Sequence, residues 1–306
     1  MKSAEDTRSI IVSIEPLRYF TEQIAGDRFV VKSMVPKGSN PETYEPTARQ
    51  MIDLSKSDMY IKVGQIGFER AWMKKLEKNA PHTIVIDSSQ GIEMATTMHG
   101  HPDPHTWMST QNAVVIARNI YRALAAVDTK DSLYFKANLE NLVSRINILD
   151  THIREQITRD KSTAFLVYHP SLTYFARDYR LRQIPIEEEG REPSVSQLMA
   201  TIKVAKDNKV KCLFLQKEFA NRNTRIVARV DSLAVAEESH ASGIGLLESE
   251  DDTHERGLAT AVRADDSQIV VRVNLERDML QHRLAVITGA DVVEGNNGTH
   301  GGGCEA

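Results

Sequence analysis

Three of the chain's ten histidines fall close together, in Met98-His99-Gly100-His101-Pro102-Asp103-Pro104-His105-Thr106-Trp107. Imidazole is the commonest neutral metal ligand near pH 7. Pro102 and Pro104 favour an extended loop. His99, His101 and His105 therefore form a candidate metal-binding loop, with a solvated polar loop as the alternative. His169 has a different setting. It follows a buried apolar run directly, in Val167-Tyr168-His169-Pro170, and open α/β sheets bind ligands just beyond the carboxyl ends of their strands. A structural histidine is the alternative there. Glu42 lies in Val35-Pro36-Lys37-Gly38-Ser39-Asn40-Pro41-Glu42-Thr43-Tyr44-Glu45-Pro46, also after a strand end. Glu187-Glu188-Glu189 and Glu237-Glu238 occupy similar places, and solvated carboxylates are the ordinary reading of all of these.

Enzyme motifs are missing. The chain has no Gly-x-Ser-x-Gly elbow, no Gly-x-x-x-x-Gly-Lys phosphate loop, no His-Glu-x-x-His and no Gly-x-Gly-x-x-Gly after the first strand. At 306 residues, 41% hydrophobic and 26% charged, the chain has material for one large or two ordinary globular domains. A net charge of -4 gives no electrostatic footprint for nucleic acid. No apolar run approaches the roughly 20 residues of a membrane-spanning helix. The two cysteines do not make a scaffold: Cys212 reads as a small buried hydrophobe and Cys304 as a free thiol in a glycine-rich end. The polar start Met1 to Ser9 has no hydrophobic signal region. It fits a cytosolic protein or a mature exported one.

The elements that must hold these residues alternate. Strands are expected over 10–14, 29–35, 59–63 and 83–86, with helices over 17–24, 47–54 and 67–78; Thr47 is a candidate N-cap. This is the α/β pattern. A helix ending near Val127 follows. A second helical stripe (Leu133, Leu139, Leu142, Ile146, Leu149, Ile153, Ile157) then runs without Gly or Pro from Asp131 to Arg159, roughly 43 Å at 1.5 Å per residue. After it come strands over 164–168, 184–186 and 210–215, helices over 172–179, 195–208 and 224–230, and a short strand over 233–236. Two α/β units thus flank one long helix: 1–130, 131–159 and 160–306. Residues 239–267 read as an insertion or as an unrelated terminal part, 268–273 as a late strand, and 295–303 as a mobile tail.

Together these segments resemble the metal-binding solute receptors of ABC importers, the zinc/manganese/iron cluster. Ser13-Ile14-Glu15-Pro16 resembles the family opening. Val35-Pro36 through Glu42-Thr43-Tyr44-Glu45-Pro46 resembles the first ligand loop, with Glu42 where the family usually has His. Asp103-Pro104-His105-Thr106-Trp107 resembles the second ligand motif, and Tyr168-His169-Pro170 with Tyr174-Phe175-Ala176-Arg177-Asp178-Tyr179 the third. Glu192-Pro193-Ser194 and Phe219 to Thr224 add to the likeness, which spans roughly 9–238.

The resemblance implies two α/β lobes joined by one long linking helix, with the metal in the cleft between them. Transferred residue by residue, the site is Glu42, His105 and His169. Its fourth ligand is Glu238, with Asp278 as the fallback, because the family's usual Asp-Pro-Leu is missing. His99 and His101 match a capture loop near the entrance. The cargo implied is Zn²⁺, with Mn²⁺ or Fe²⁺ admitted by the harder Glu42 carboxylate. The implied protein is not an enzyme. It is a monomeric receptor, periplasmic or a lipoprotein on the outer face of the membrane, that delivers metal to an ABC permease with its ATPase and binds no nucleic acid. The rivals are a metallohydrolase using a Glu/His/His site, and a surface metal-scavenging or adhesion protein. The long helix implies small lobe shifts on binding.

Overall fold

A computed structural model of the chain describes residues 8–97, 100–161, 163–187, 192–210, 212–216, 234–238, 261–263 and 269–271. The first sheet consists of β1 (Ser9–Val12), β2 (Val30–Ser33), β3 (Met59–Lys62) and β4 (Ile84–Asp87). Its order is β2-β1-β3-β4 and every pair is parallel. Ile10, Val12, Met59 and Ile61 are all fully buried. These central strands are covered on both faces, so their middles read as short apolar runs.

Helices α1 (Glu15–Ala25), α2 (Ala48–Ser55), α3 (Gly67–Asn79) and α4 (Thr110–Val127) complete this lobe. Pro16 sits in the first turn of α1, where its missing N–H costs nothing. Thr47 caps α2 through a capping box: its hydroxyl accepts from Gln50 N–H, and the Gln50 side chain accepts from Thr47 N–H at 2.9 Å.

Helix α5 (Ser132–Asp160) is 29 residues long and is the linking helix. Its first half gives Phe135, Leu139, Leu142 and Ile146 to the large core that includes α1 and α4. Further along, Leu149 and Ile153 pack in a separate cluster with Tyr179. One apolar stripe therefore serves both lobes.

The second sheet holds β5 (Ala164–Val167), β6 (Arg182–Pro185), β7 (Cys212–Gln216), β8 (Ala234–Glu238), β9 (Ala261–Arg263) and β10 (Ile269–Val271). The order is β6-β5-β7-β8-β10-β9, all neighbours parallel except β9, which runs antiparallel to β10. Helices α6 (Thr173–Tyr179) and α7 (Val195–Asp207) accompany it.

Two expectations change. Part of the stretch read as an insertion is strand β9, which pairs Val262 with Val270 at the sheet edge. Strand β6 begins at Arg182 and not at Ile184, because the ladder to β5 already pairs Ala164 with Arg182. As an edge strand β6 tolerates polar residues that hide it from a hydrophobicity pattern. The helix expected over 224–230, the tail over 295–303 and Cys304 lie outside the described residues. Among the described residues, no helix is long and apolar enough to cross a membrane.

Candidate metal site

The site is built from the loops that follow β4 and β5. Past the end of β5, Tyr168 N–H still donates to Phe214 O at 3.2 Å. The β5–β6 pairing also runs on beyond both strands, with Ile186 N–H to Val167 O at 2.9 Å and Glu187 N–H to Tyr168 O at 3.1 Å. That extension sets Glu187 beside His169, and the Glu187 carboxylate accepts from His169 Nδ1 in a short hydrogen bond. Glu187 is only 4% exposed, so the carboxylate run read as a solvated face begins with a buried partner of the imidazole.

In the first lobe, the loop after β4 forms a small hairpin. Thr96 bridges Pro102, and Asp103 N–H donates to Ala95 O at 2.8 Å. Asp103 at its base accepts from His105 Nδ1 at 2.8 Å and from His105 N–H at 2.9 Å. Burial pushes the Asp103 carboxyl up, but its hydrogen bonds to His105 and Thr173 and the charge of His105 together hold it below the usual range. The Trp107 ring lies 5.3 Å from the His105 ring and walls one side. Ser109 then caps α4 by accepting from Asn112 N–H, which anchors the loop's far end.

The two imidazoles meet. His105 Nε2 and His169 Nε2 are 3.3 Å apart, with ring centroids at 5.1 Å and planes at 73°. A carboxylate only accepts, so each Nδ1 carries a proton, and in the neutral form of each ring that leaves the Nε2 lone pair facing inward. Two lone pairs facing at that distance repel unless a cation sits against both. Two Zn–N bonds of about 2.05 Å at a tetrahedral angle span about 3.3 Å between nitrogens. The spacing is that of two ligands already set for a metal.

The other expected residues are placed differently. Glu42 is exposed, and its Oε2 accepts from Gly67 N–H at 3.0 Å and lies 3.7 Å from Arg70. Pro41 O meanwhile accepts from Phe68 N–H at 3.0 Å. The loop is thus docked on the start of α3, and the structure does not bring Glu42 to the histidine pair. Among the described residues no group of three or more His, Cys, Asp or Glu is gathered to hold a metal. Glu238 ends β8, opposite Gln216 of β7. Val167, Phe214 and Ala236 share one register level, so Glu238 and His169 both stand two residues beyond it, two strands apart. His101 is exposed at the tip of the hairpin, its carbonyl accepting from Thr97 N–H at 2.7 Å. His99 and Asp278 lie outside the described residues.

Sequence reading passed over Glu69. It is 1% exposed on α3 and accepts from Val63 N–H at 2.8 Å, Gly64 N–H at 2.5 Å and the Ser13 hydroxyl. Ser13 also bonds Tyr60 Oη at 2.9 Å. Burial raises the Glu69 carboxyl above its ordinary range despite these bonds. The group pins the loop after β3 to the sheet and to α3, the helix that carries the Glu42 loop. A glutamate inside an amphipathic helical pattern gives no sign of this.

Comparison with known proteins decides the family. The profile of the zinc-uptake complex component A, periplasmic (ZnuA), matches residues 10–258. The chain belongs to the ZnuA family. The match runs past the end of the likeness legible in the sequence and into the stretch read as an insertion. A solved ZnuA crystal structure is 35% identical, covers 76% of this chain and 91% of its own, and superposes with a TM-score of 0.72. The high-affinity zinc uptake system protein ZnuA of Bacillus subtilis is 24% identical over 233 residues (70% of this chain, 72% of that protein). The iron ABC transporter substrate-binding lipoprotein MtsA of Streptococcus pyogenes is 26% identical over 256 residues (78% and 81%). This ZnuA-family chain therefore has the two-lobe α/β fold of metal-importer substrate-binding proteins, which are not enzymes.

Proposed function

We propose that this chain is an extracytoplasmic receptor that captures a divalent transition metal between its lobes and passes it to a membrane permease driven by a separate ATPase. One observation carries the reading: the inward-facing Nε2 atoms of His105 and His169, 3.3 Å apart, each imidazole oriented from behind by a buried carboxylate. Zn²⁺ is the favoured cargo, because two neutral imidazoles suit it and the nitrogen spacing equals its tetrahedral span. Glu42 is the third ligand. It reaches the pair by leaving Gly67 and Arg70, and its oxygen keeps Mn²⁺ and Fe²⁺ admissible. Glu238, at the end of β8, is the fourth, with Asp278 the alternative. His99 and His101 act as weak capture ligands. The receptor works as a monomer, periplasmic or lipid-anchored, with lobes at 1–130 and 160–306 around the helix at 131–159. The zinc and iron relatives support a metal cargo without choosing between the two.

The test is thermal unfolding of metal-stripped protein with Zn²⁺, Mn²⁺ or Fe²⁺ added singly. Binding to the folded state alone adds about 2.7 kcal/mol of stability at a hundredfold excess over Kd. The expected result is a large shift with Zn²⁺ that disappears in H105A and H169A. No shift with any of the three metals overturns the reading.

A further inference from the structure

Helix α6 begins four residues after His169, yet its side chains reach into the other lobe. Tyr174 is fully buried. Its hydroxyl donates to Asp103 O at 2.7 Å and accepts from Ala95 N–H at 3.2 Å. Those two backbone groups would otherwise bond each other. Asp103 N–H and Ala95 O already make one half of an antiparallel pair, and the Tyr174 hydroxyl, arriving from the second lobe, bridges the other half. The neighbouring Thr173 hydroxyl bonds the Asp103 carboxylate itself and is held by Gln183 Nε2 at 3.1 Å. Asp103 is the residue that orients His105. One helix thus carries the support of one histidine while standing just behind the other.

We propose that Thr173 and Tyr174 are positioning residues that set His105 against His169 across the cleft by gripping Asp103, so that the spacing of the two imidazoles is fixed by α6 and not by the linking helix alone. The inference rests on the receptor reading above. A support that acts on ligand orientation changes metal affinity and metal geometry more than it changes folding, and outer-shell partners of metal-binding histidines carry about 10- to 100-fold in affinity.

The experiment uses Co²⁺ as the probe with the full chain, reading affinity by titration and ligand geometry from the visible absorption bands. Y174F and T173V are compared with Y179F. The last removes a hydroxyl of the same helix that bonds Thr110 at 3.0 Å and Asp150 at 2.9 Å, away from the hairpin. Y174F and T173V are expected to bind Co²⁺ about tenfold or more weakly with altered bands, and Y179F to keep the parent spectrum. In a D103N background, Y174F is expected to cost less than it does in the parent, because part of its route to His105 is already cut; a merely structural effect would add in full. Should Y174F not fold, T173V carries the same comparison. Parent-like affinity and bands in both α6 variants overturn the positioning role while leaving the receptor reading intact. Failure of the parent to bind Co²⁺, Zn²⁺, Mn²⁺ or Fe²⁺ overturns both.

Discussion

His105 and His169 point their Nε2 atoms at each other across 3.3 Å, one imidazole from each lobe, and each ring is held from behind by a carboxylate, Asp103 or Glu187. The arrangement is costly without a cation and favourable with one. Glu187 is the less expected of the two supports, so its removal is the sharper test. Glu187→Ala frees His169 to rotate and to move its proton to the nitrogen that should face the metal. Zn²⁺ affinity is expected to fall about 10- to 100-fold. Competition against a chromophoric chelator measures this, and affinity within twofold of the parent would remove Glu187 from the site.

Gly67 is required by a close approach. A Cβ at this position would lie 2.4 Å from Glu42 Oε2 and 2.5 Å from Glu42 O. Gly67→Ala must push the Glu42 loop off the start of α3, losing the 3.0 Å hydrogen bond from Gly67 N–H. The expected cost is about 1–3 kcal/mol, the usual range for an overpacked contact. Chemical denaturation of the metal-free protein reads it directly. An unchanged midpoint would mean that the loop yields freely.

The strands and helices were legible because the α/β alternation leaves two different periodicities, and β1 and β5 read as nearly continuous apolar runs. The linking helix was legible because nothing between Asp131 and Arg159 interrupts a helical stripe. His105 and His169 were visible from their motifs. Their supports were only half visible: Asp103 sits inside a quoted motif, but its role depends on a hairpin closed by Tyr174, 71 residues away. Glu187 was hidden among like charges, since a sequence cannot say that the first of three successive glutamates turns inward. Strand β9 was hidden by its brevity: three residues, paired with β10.

Glu69 gives a pH dependence of known sign. Burial raises its carboxyl above the ordinary 4.5 in the folded state. Its contribution to stability is therefore fully present below about pH 4.5 and is lost as pH rises through the higher folded value. Glu69→Ala removes this dependence and leaves the Val63 and Gly64 N–H groups without their acceptor, at a cost of about 2 kcal/mol or more. Unfolding free energies of parent and variant between pH 4 and pH 7 should converge as pH rises. A constant gap across that range would show that Glu69 does not titrate differently in the folded and unfolded chains.

Glu42 offers a test of metal choice. Its carboxylate brings a charge and a hard oxygen to a position where the resembling receptors usually carry imidazole. Hard oxygen donors favour Mn²⁺ relative to Zn²⁺, and imidazole favours Zn²⁺. Glu42→His is therefore expected to widen the preference for Zn²⁺ over Mn²⁺, by about tenfold or more if residue 42 binds the ion directly, a difference of about 1.4 kcal/mol. The same change abolishes the carboxylate's bond to Gly67 N–H and its approach to Arg70, so the metal-free protein should also lose a little stability. Those two effects separate the roles. Lower stability with an unchanged Zn²⁺/Mn²⁺ ratio would leave Glu42 as a loop anchor on α3, whereas a changed ratio requires that the carboxylate leave its dock and enter the coordination sphere.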